Sequence, residues 1–152
     1  MSAHINFLFL IRLMITFDSM KKLLLLIFLI CFFKISFSQD TDFYNTYFEG
    51  NALLSKGQYD KAIEKYNEAL KLFPADYVFF NRGNANFKKG DMKNALLDYS
   101  ITIKMKDSYA EAYFQRALVK NATGDKTGCD DFKKAIKLDL DGSKEAFKKY
   151  CK

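Results

Sequence analysis

The sequence predicts an all-α chain built of three helix-turn-helix repeats, and three observations carry that expectation. Tyr59, Ala62, Ile63, Tyr66, Ala69, Leu70 and Phe73 recur at steps of three and four, which places them on one face of a helix. Gly57 precedes this run and Pro74 ends it, since proline has no N–H to give and disfavours helix in the residue before it. The same punctuation then returns. Gly57, Gly90 and Gly124 stand 33 and 34 residues apart, and seven residues before each lies a small one: Gly50, Gly83, Ala117. Five after each lies Ala62, Ala95 or Cys129, and four further on Tyr66 and Tyr99 match, with Lys133 in the third copy and Phe132 one place early. Small residues at fixed offsets mark where two helices come close.

Taken in order, the chain opens with residues 1–19, which fit no helix of the repeat. Met20-Lys21-Lys22 followed by the apolar run Leu23–Phe33 has the basic start and short hydrophobic core of a secretory signal peptide. Ser36 and Ser38 supply small residues before a cleavage point, making Gln39 the expected mature N-terminus. Eleven apolar residues fall short of the ~20 that span a bilayer. An uncleaved anchor is the rival, opposed by Lys34, and a lipoprotein site at Cys31 is opposed by the bulky Ile30. Translation is expected to begin at Met20, with residues 1–19 an over-called start.

After a polar lead at residues 40–42, helices are expected at about Phe43–Lys56 and Tyr59–Leu72, then Asp76–Lys89 and Met92–Met105, then Ser108–Ala122 and Lys126–Leu138. Asp76, Asp91, Asp107 and Asp125 precede helical runs, as caps or first-turn acids should. The repeats thus span about 43–75, 76–109 and 110–141. Residues 142–152 form one last helix. Its face of Ala146, Phe147, Tyr150 and Cys151 is expected to cover Phe132 and Ile136, so that removing residues 143–152 would destabilise the third repeat.

Gly50, Gly57, Tyr59, Ala62, Tyr66, Ala69 and Pro74 together resemble the tetratricopeptide repeat (TPR), whose period is about 34 residues. The second copy departs at Thr102 and Asp107, where the first has Ala69 and Pro74. The resemblance implies a right-handed TPR solenoid of three repeats plus a capping helix, with a concave wall made by the first helix of each repeat. Carried onto this sequence, the wall holds Tyr44, Tyr47, Asn51 and Leu54; Tyr77, Phe80, Asn81, Asn84 and Phe87; and Glu111, Phe114, Gln115, Leu118 and Asn121. Aromatic area beside amides suits an extended peptide, although each aromatic serves core packing equally well. Asn51 and Asn84 are expected to face solvent or ligand, because a buried unpaired amide costs on the order of 1–3 kcal/mol.

Some cytosolic TPR co-chaperones hold a partner's C-terminal carboxylate with two asparagines and three cations. Asn51 and Asn81 match those asparagines here, but Tyr47, Glu111 and Gln115 stand at the cation positions, so that mode of binding is not expected. The end of the chain, from Cys129 to Cys151, resembles that of small exported TPR proteins of Bacteroidota-type bacteria. In an oxidising compartment the two cysteines are expected to pair. The alternative leaves Cys129 filling the small position of Ala62 and Ala95, and Cys151 a free thiol.

Composition excludes more than it names. The chain of 152 residues carries 24 lysines and arginines against 18 acids, a net charge of +6. Beyond the leader the charges interleave, as on a solvated helix face, with no nucleic-acid-binding motif. The single histidine, His4, lies in the leader, which removes Ser/His, Cys/His and most zinc arrangements from the remainder. No glycine-rich nucleotide loop is present, and Asp130-Asp131 point to different faces of a helix. The expectation is a non-enzymatic adaptor without metal or small-molecule cofactor, exported to the periplasm or beyond. Its partner would be a protein or peptide, and the membrane would be touched only through an uncleaved leader. A structural subunit of an envelope complex, using the convex side or an end face, is the alternative.

Overall fold

The computed structural model describes residues 19–21, 23, 24, 26–28 and 41–151, which divide into two units, residues 1–41 and 42–152. In the first unit the described residues from 19 to 28 are helical, and Leu23, Leu24, Leu26, Ile27 and Phe28 are exposed. The expected over-called start through Asp18, as well as Lys22, Cys31, Lys34 and the cleavage point at Ser36, Ser38 and Gln39, lies outside the described residues. No helix among the described residues is long and apolar enough to cross a membrane.

The second unit is helical, without strands among the described residues. Its helices are α1 (helical over residues 41–55), α2 (Tyr59–Leu72), α3 (Asp76–Lys89), α4 (Met92–Met105), α5 (Ala110–Ala122), α6 (Gly128–Lys137) and α7 (Ser143–Tyr150). The bounds of α2, α3 and α4 fall where periodicity and turn residues predict. Gly90 ends α3 at φ 92°, and the Gly90 and Asp91 N–H groups donate to the Phe87 and Asn86 carbonyls at 3.0 and 2.8 Å. Such a left-handed cap satisfies carbonyls the helix leaves unpaired, and only glycine takes it without strain. Asp91 caps α4 by accepting from the Asn94 N–H at 3.1 Å. Asp107 and Asp125 do not cap. Asp107 accepts from the Tyr113 hydroxyl and from Lys134 at 2.8 Å, while Asp125 accepts from the Thr127 N–H inside a turn.

Each repeat closes around one large ring. Tyr66, Tyr99 and Phe132 are fully buried. A Cβ on Gly50 would lie 2.8 Å from Tyr66 Cε1, and one on Gly83 2.8 Å from Tyr99 Cε1, closer than real side chains approach. These two glycines let the tyrosine rings lie flat on the preceding helix. Ala69 and Thr102 follow one turn later, both fully buried, and the Thr102 hydroxyl donates to the Asp98 carbonyl at 3.0 Å and lies 3.2 Å from that of Asp76. A threonine thus replaces alanine without leaving an orphaned hydroxyl.

The third repeat departs from the predicted register. Gly128, not Cys129, holds the small position: it is buried, four residues before Phe132 as Ala62 and Ala95 are before Tyr66 and Tyr99. A Cβ there would come within 2.9 Å of the Ala117 carbonyl. Phe132, rather than Lys133, takes the aromatic place. The entry to α6 is wound through i→i+3 bonds, Gly128 N–H to Asp125, Cys129 to Lys126 and Asp130 to Thr127. A tighter turn covers more angle per residue, so one residue fewer separates Gly124 from its ring. Cys129 is thereby turned off the helix contact and pairs with Cys151, their Cα atoms 5.7 Å apart. That separation lies within the range a disulfide accepts. The reading of Cys151 as a free thiol is therefore overturned. Tyr150 of α7 stacks on Phe132 with centroids 6.0 Å apart, as a lid on the last repeat should.

A second series of contacts ties the helices together and was not foreseen. Arg82 on α3 makes a two-pronged bond to Asp98 on α4 (Nε to Oδ2 3.0 Å, Nη2 to Oδ1 2.6 Å) and reaches back to Asn67 on α2 at 2.6 Å. Thirty-four positions on, Arg116 makes the same fork to Asp131 at 2.9 and 2.7 Å and reaches back to Ser100 on α4 at 3.1 Å. Each arginine therefore joins the second helix of its own repeat to that of the repeat before. In the first repeat, Glu49 and Lys65 occupy this place with the charges exchanged, 3.3 Å apart. Asp130 is exposed and Asp131 buried, on different faces as expected.

Candidate peptide-binding groove

The helices α1, α3 and α5 share one wall. Tyr47 and Asn51 on α1 face Asn81 on α3: the Asn81 Nδ2 donates to the Tyr47 hydroxyl at 2.9 Å and to the Asn51 carbonyl at 3.1 Å. The Tyr66 hydroxyl, arriving from α2, donates to the same Asn51 oxygen at 2.8 Å. In the next repeat the Tyr99 hydroxyl donates to Asn84 at 2.8 Å. Asn51 and Asn84 thus have a role the sequence reading did not give them: each carbonyl satisfies the hydroxyl of a buried tyrosine. The Asn51 Nδ2 and the Asn81 Oδ1 remain unspent among the described residues. They offer one donor and one acceptor, the pair an extended backbone presents in return.

The wall's aromatic residues divide by environment. Tyr77 meets Tyr47 edge-on at 5.0 Å and is half-buried, while Tyr44 is about half exposed and stacks on Phe48 at 6.4 Å. Phe80 and Phe87 pack against Ala95, Tyr99 and Val119, and Phe114 meets Phe132 edge-on at 5.6 Å. These three serve the core. Leu54, Gln115 and Leu118 are half-buried, and Glu111 is exposed. Asn121 stands apart: it lines a cavity of about 450 Å³ beside Cys129, Phe147 and Cys151, not the wall around Asn51 and Asn81.

Tyr109 belongs to the wall and was missed. It is the residue before α5, its ring 4.9 Å from that of Phe80. The repeat register aligns it with Ala75 and Asp42, so no pattern in the sequence singles it out. With Asp76, Tyr77, Lys106, Ser108 and Glu111 it lines a cavity of about 300 Å³. Burial first, then the charges of Glu111 and Asp76 and the neighbouring Tyr47, push the Tyr109 hydroxyl up to about 12. The Tyr77 hydroxyl is also raised, by burial first and then by Tyr44, Tyr47 and Asp76.

Tyr66 and Tyr99 are raised further still, mainly by burial. A phenol whose folded pKa exceeds its unfolded value near 10 binds its proton more tightly in the fold. Its contribution is complete below that value and is lost as pH rises beyond it. Melting temperatures should therefore hold from pH 8 to about 10 and fall progressively above. A flat profile through pH 11 would contradict the burial of these hydroxyls.

Three stacked helix hairpins with small residues at the crossings and a further helix at the end make an all-helical solenoid of the TPR type. Residues 50–90 match the family model "TPR repeat". The chain is 28% identical over 103 residues to the Saccharomyces cerevisiae "Small glutamine-rich tetratricopeptide repeat-containing protein 2", covering 66% of this chain and 30% of that protein. The chain thus spans about a third or less of the curated relatives it matches. Among solved structures it is similar to the "First TPR of Spaghetti (RPAP3) bound to HSP90 peptide SRMEEVD", with TM-score 0.69 and 21% identity over 73% of this chain and 91% of that one. The second TPR domain of human RPAP3, in complex with the HSP70 peptide SGPTIEEVD, gives TM-score 0.70 at 22% identity, over 75% and 98%. At these identities the likeness is one of fold.

Proposed function

We propose that the protein is a non-enzymatic adaptor that holds a peptide or protein segment along the α1/α3/α5 wall. The observation that carries this reading is the Tyr47–Asn51–Asn81–Tyr66 network, which fixes two amides in place and leaves one donor and one acceptor to spare. Fixed polar groups beside exposed aromatic area bind an extended segment with little loss of side-chain freedom. The repeat helices carry no histidine to act as a general base, so chemistry is not the reading they favour.

We place the protein in the periplasm or outside the cell, as the Met20-Lys21-Lys22 leader suggests, and in the company of small exported TPR proteins of Bacteroidota-type bacteria. A disulfide between Cys129 and Cys151 supports an oxidising compartment. The membrane enters only if the leader stays uncleaved. The structural alternative would use an end face, where Phe48 and Phe73 are exposed.

Affinity capture from envelope fractions separates the two. Asn81→Ala and Tyr47→Phe should abolish recovery of the partner, with Phe48→Ala and Phe73→Ala leaving it. The reverse pattern would move the interface to the end face and end the groove reading.

A further inference from the structure

Both arginines of the repeat region are committed inward. Arg82 and Arg116 each lock onto a buried aspartate, so neither faces the wall. The nearby Lys120 is taken by Asp131 at 2.9 Å and Lys134 by Asp107 at 2.8 Å. Across the wall Tyr44, Tyr47, Asn51, Tyr77, Asn81, Asn84 and Gln115 are uncharged. What charge remains gathers in the cavity between the starts of α3 and α5. Asp76 and Glu111 line it, and neither is in an ion pair among the described residues. Lys106 is the cavity's one cation, and its ammonium lies 5.4 Å above the Tyr109 ring. The protein's own chain thus shows what this pocket accepts: a cation on a tyrosine face beside two carboxylates.

Resting on the groove reading above, we propose that the segment bound along this wall is internal rather than C-terminal and places a lysine or arginine side chain in the Asp76–Tyr77–Tyr109–Glu111 cavity. A terminal carboxylate meets Tyr47, Glu111 and Gln115 where cations would be needed, and in the cavity Lys106 alone stands against the two acids Asp76 and Glu111. A basic side chain gains the tyrosine faces and both carboxylates. The Asn51 amide and the Asn81 carbonyl pair with the segment's backbone. Lys106 moves aside or shares the site, at little loss, because an exposed cation–ring contact is weak.

The sign of this preference makes it testable. From Gln39 onward 20 lysines and arginines stand against 17 acids, a net charge of +3, so bulk electrostatics alone would draw acidic peptides. A basic preference must come from the local site. The probe is an immobilised positional-scanning decapeptide library with amidated C-termini, followed by fluorescence anisotropy on the best sequence. Lysine or arginine should be selected at one position, and replacing it with glutamine should weaken binding about tenfold. Changing the amide to a free acid should weaken binding or leave it unchanged. Asp76→Asn with Glu111→Gln should erase the preference while leaving the glutamine peptide's affinity as it was, and Glu111→Lys should invert it. Binding that needs Asn81 but shows no basic preference, or a preference that survives the double variant, would overturn this proposal alone. Absence of any binding sensitive to Asn81→Ala would overturn the groove itself, and the proposal with it.

Discussion

Replacing Asp98 with alanine is expected to lower stability by about 3–5 kcal/mol, the cost of leaving one partner of a buried ion pair behind. Asp98 is 2% exposed and accepts from both prongs of Arg82 and from the Asn86 amide at 3.0 Å. The alanine leaves a largely buried guanidinium half unpaired in the middle of the solenoid, and the buried Asn86 amide loses its acceptor as well. Against a total of about 5–15 kcal/mol for an ordinary domain, that is a large share. At roughly 4 °C per kcal/mol the melting temperature should fall by about 12–20 °C. The first repeat contains its own control. Glu49 and Lys65 stand in the same place with side chains 57% and 30% exposed, and exposed pairs contribute about 1 kcal/mol or less. Urea unfolding of Glu49→Ala beside Asp98→Ala should show the two several-fold apart. The double variant Arg82→Met, Asp98→Leu should recover much of the loss, because an apolar pair leaves no stranded charge. Equal, small effects of Glu49→Ala and Asp98→Ala would mean that burial does not set the worth of these pairs.

Breaking the Cys129–Cys151 bridge is the second large effect. The two residues are 22 apart in sequence, and closing a loop of that size removes about 3 kcal/mol of unfolded-chain entropy. The loss should be local. Within α7 only Ser143 is fully buried, and its other holds are the Tyr150–Phe132 stack and the half-buried Phe147. The cavity of about 450 Å³ beside the bridge leaves that end of the helix loosely packed. Reduction, or Cys151→Ser, should therefore release α7 first, with α2 to α4 still folded. Hydrogen exchange reads this directly: protection of the amides at 144–150 should vanish while that of α3 persists. A melting curve and exchange pattern untouched by both treatments would show that the stack alone holds the lid.

Most of the architecture was legible before any coordinates because it is periodic. A helix face, a turn glycine and a small residue at a crossing are local requirements, and each recurs at a fixed step. The bounds of α2, α3 and α4 and the close approaches at Gly50 and Gly83 follow from those requirements alone. What the repeat does not encode was missed. The entry to α6 is wound tighter, which moves the small position from Cys129 to Gly128 and the ring to Phe132; a one-residue change in winding leaves the spacing of turn glycines intact. Nothing in the sequence marks Arg82 and Arg116, since a charged residue shows its partner only when another helix is laid beside it.

By itself, then, the chain's order of residues determined that helices form in pairs, where they turn and which faces they bury, for these depend on neighbours within a turn or two. The groove's chemistry was decided by the tertiary structure. Asn51, Tyr66, Tyr47 and Asn81 meet across as many as 34 positions, and Tyr109 joins them from a loop whose place no periodicity marks. Hydrogen bonds and fields act through a few ångströms of space, so their partners are fixed only once the helices stand side by side.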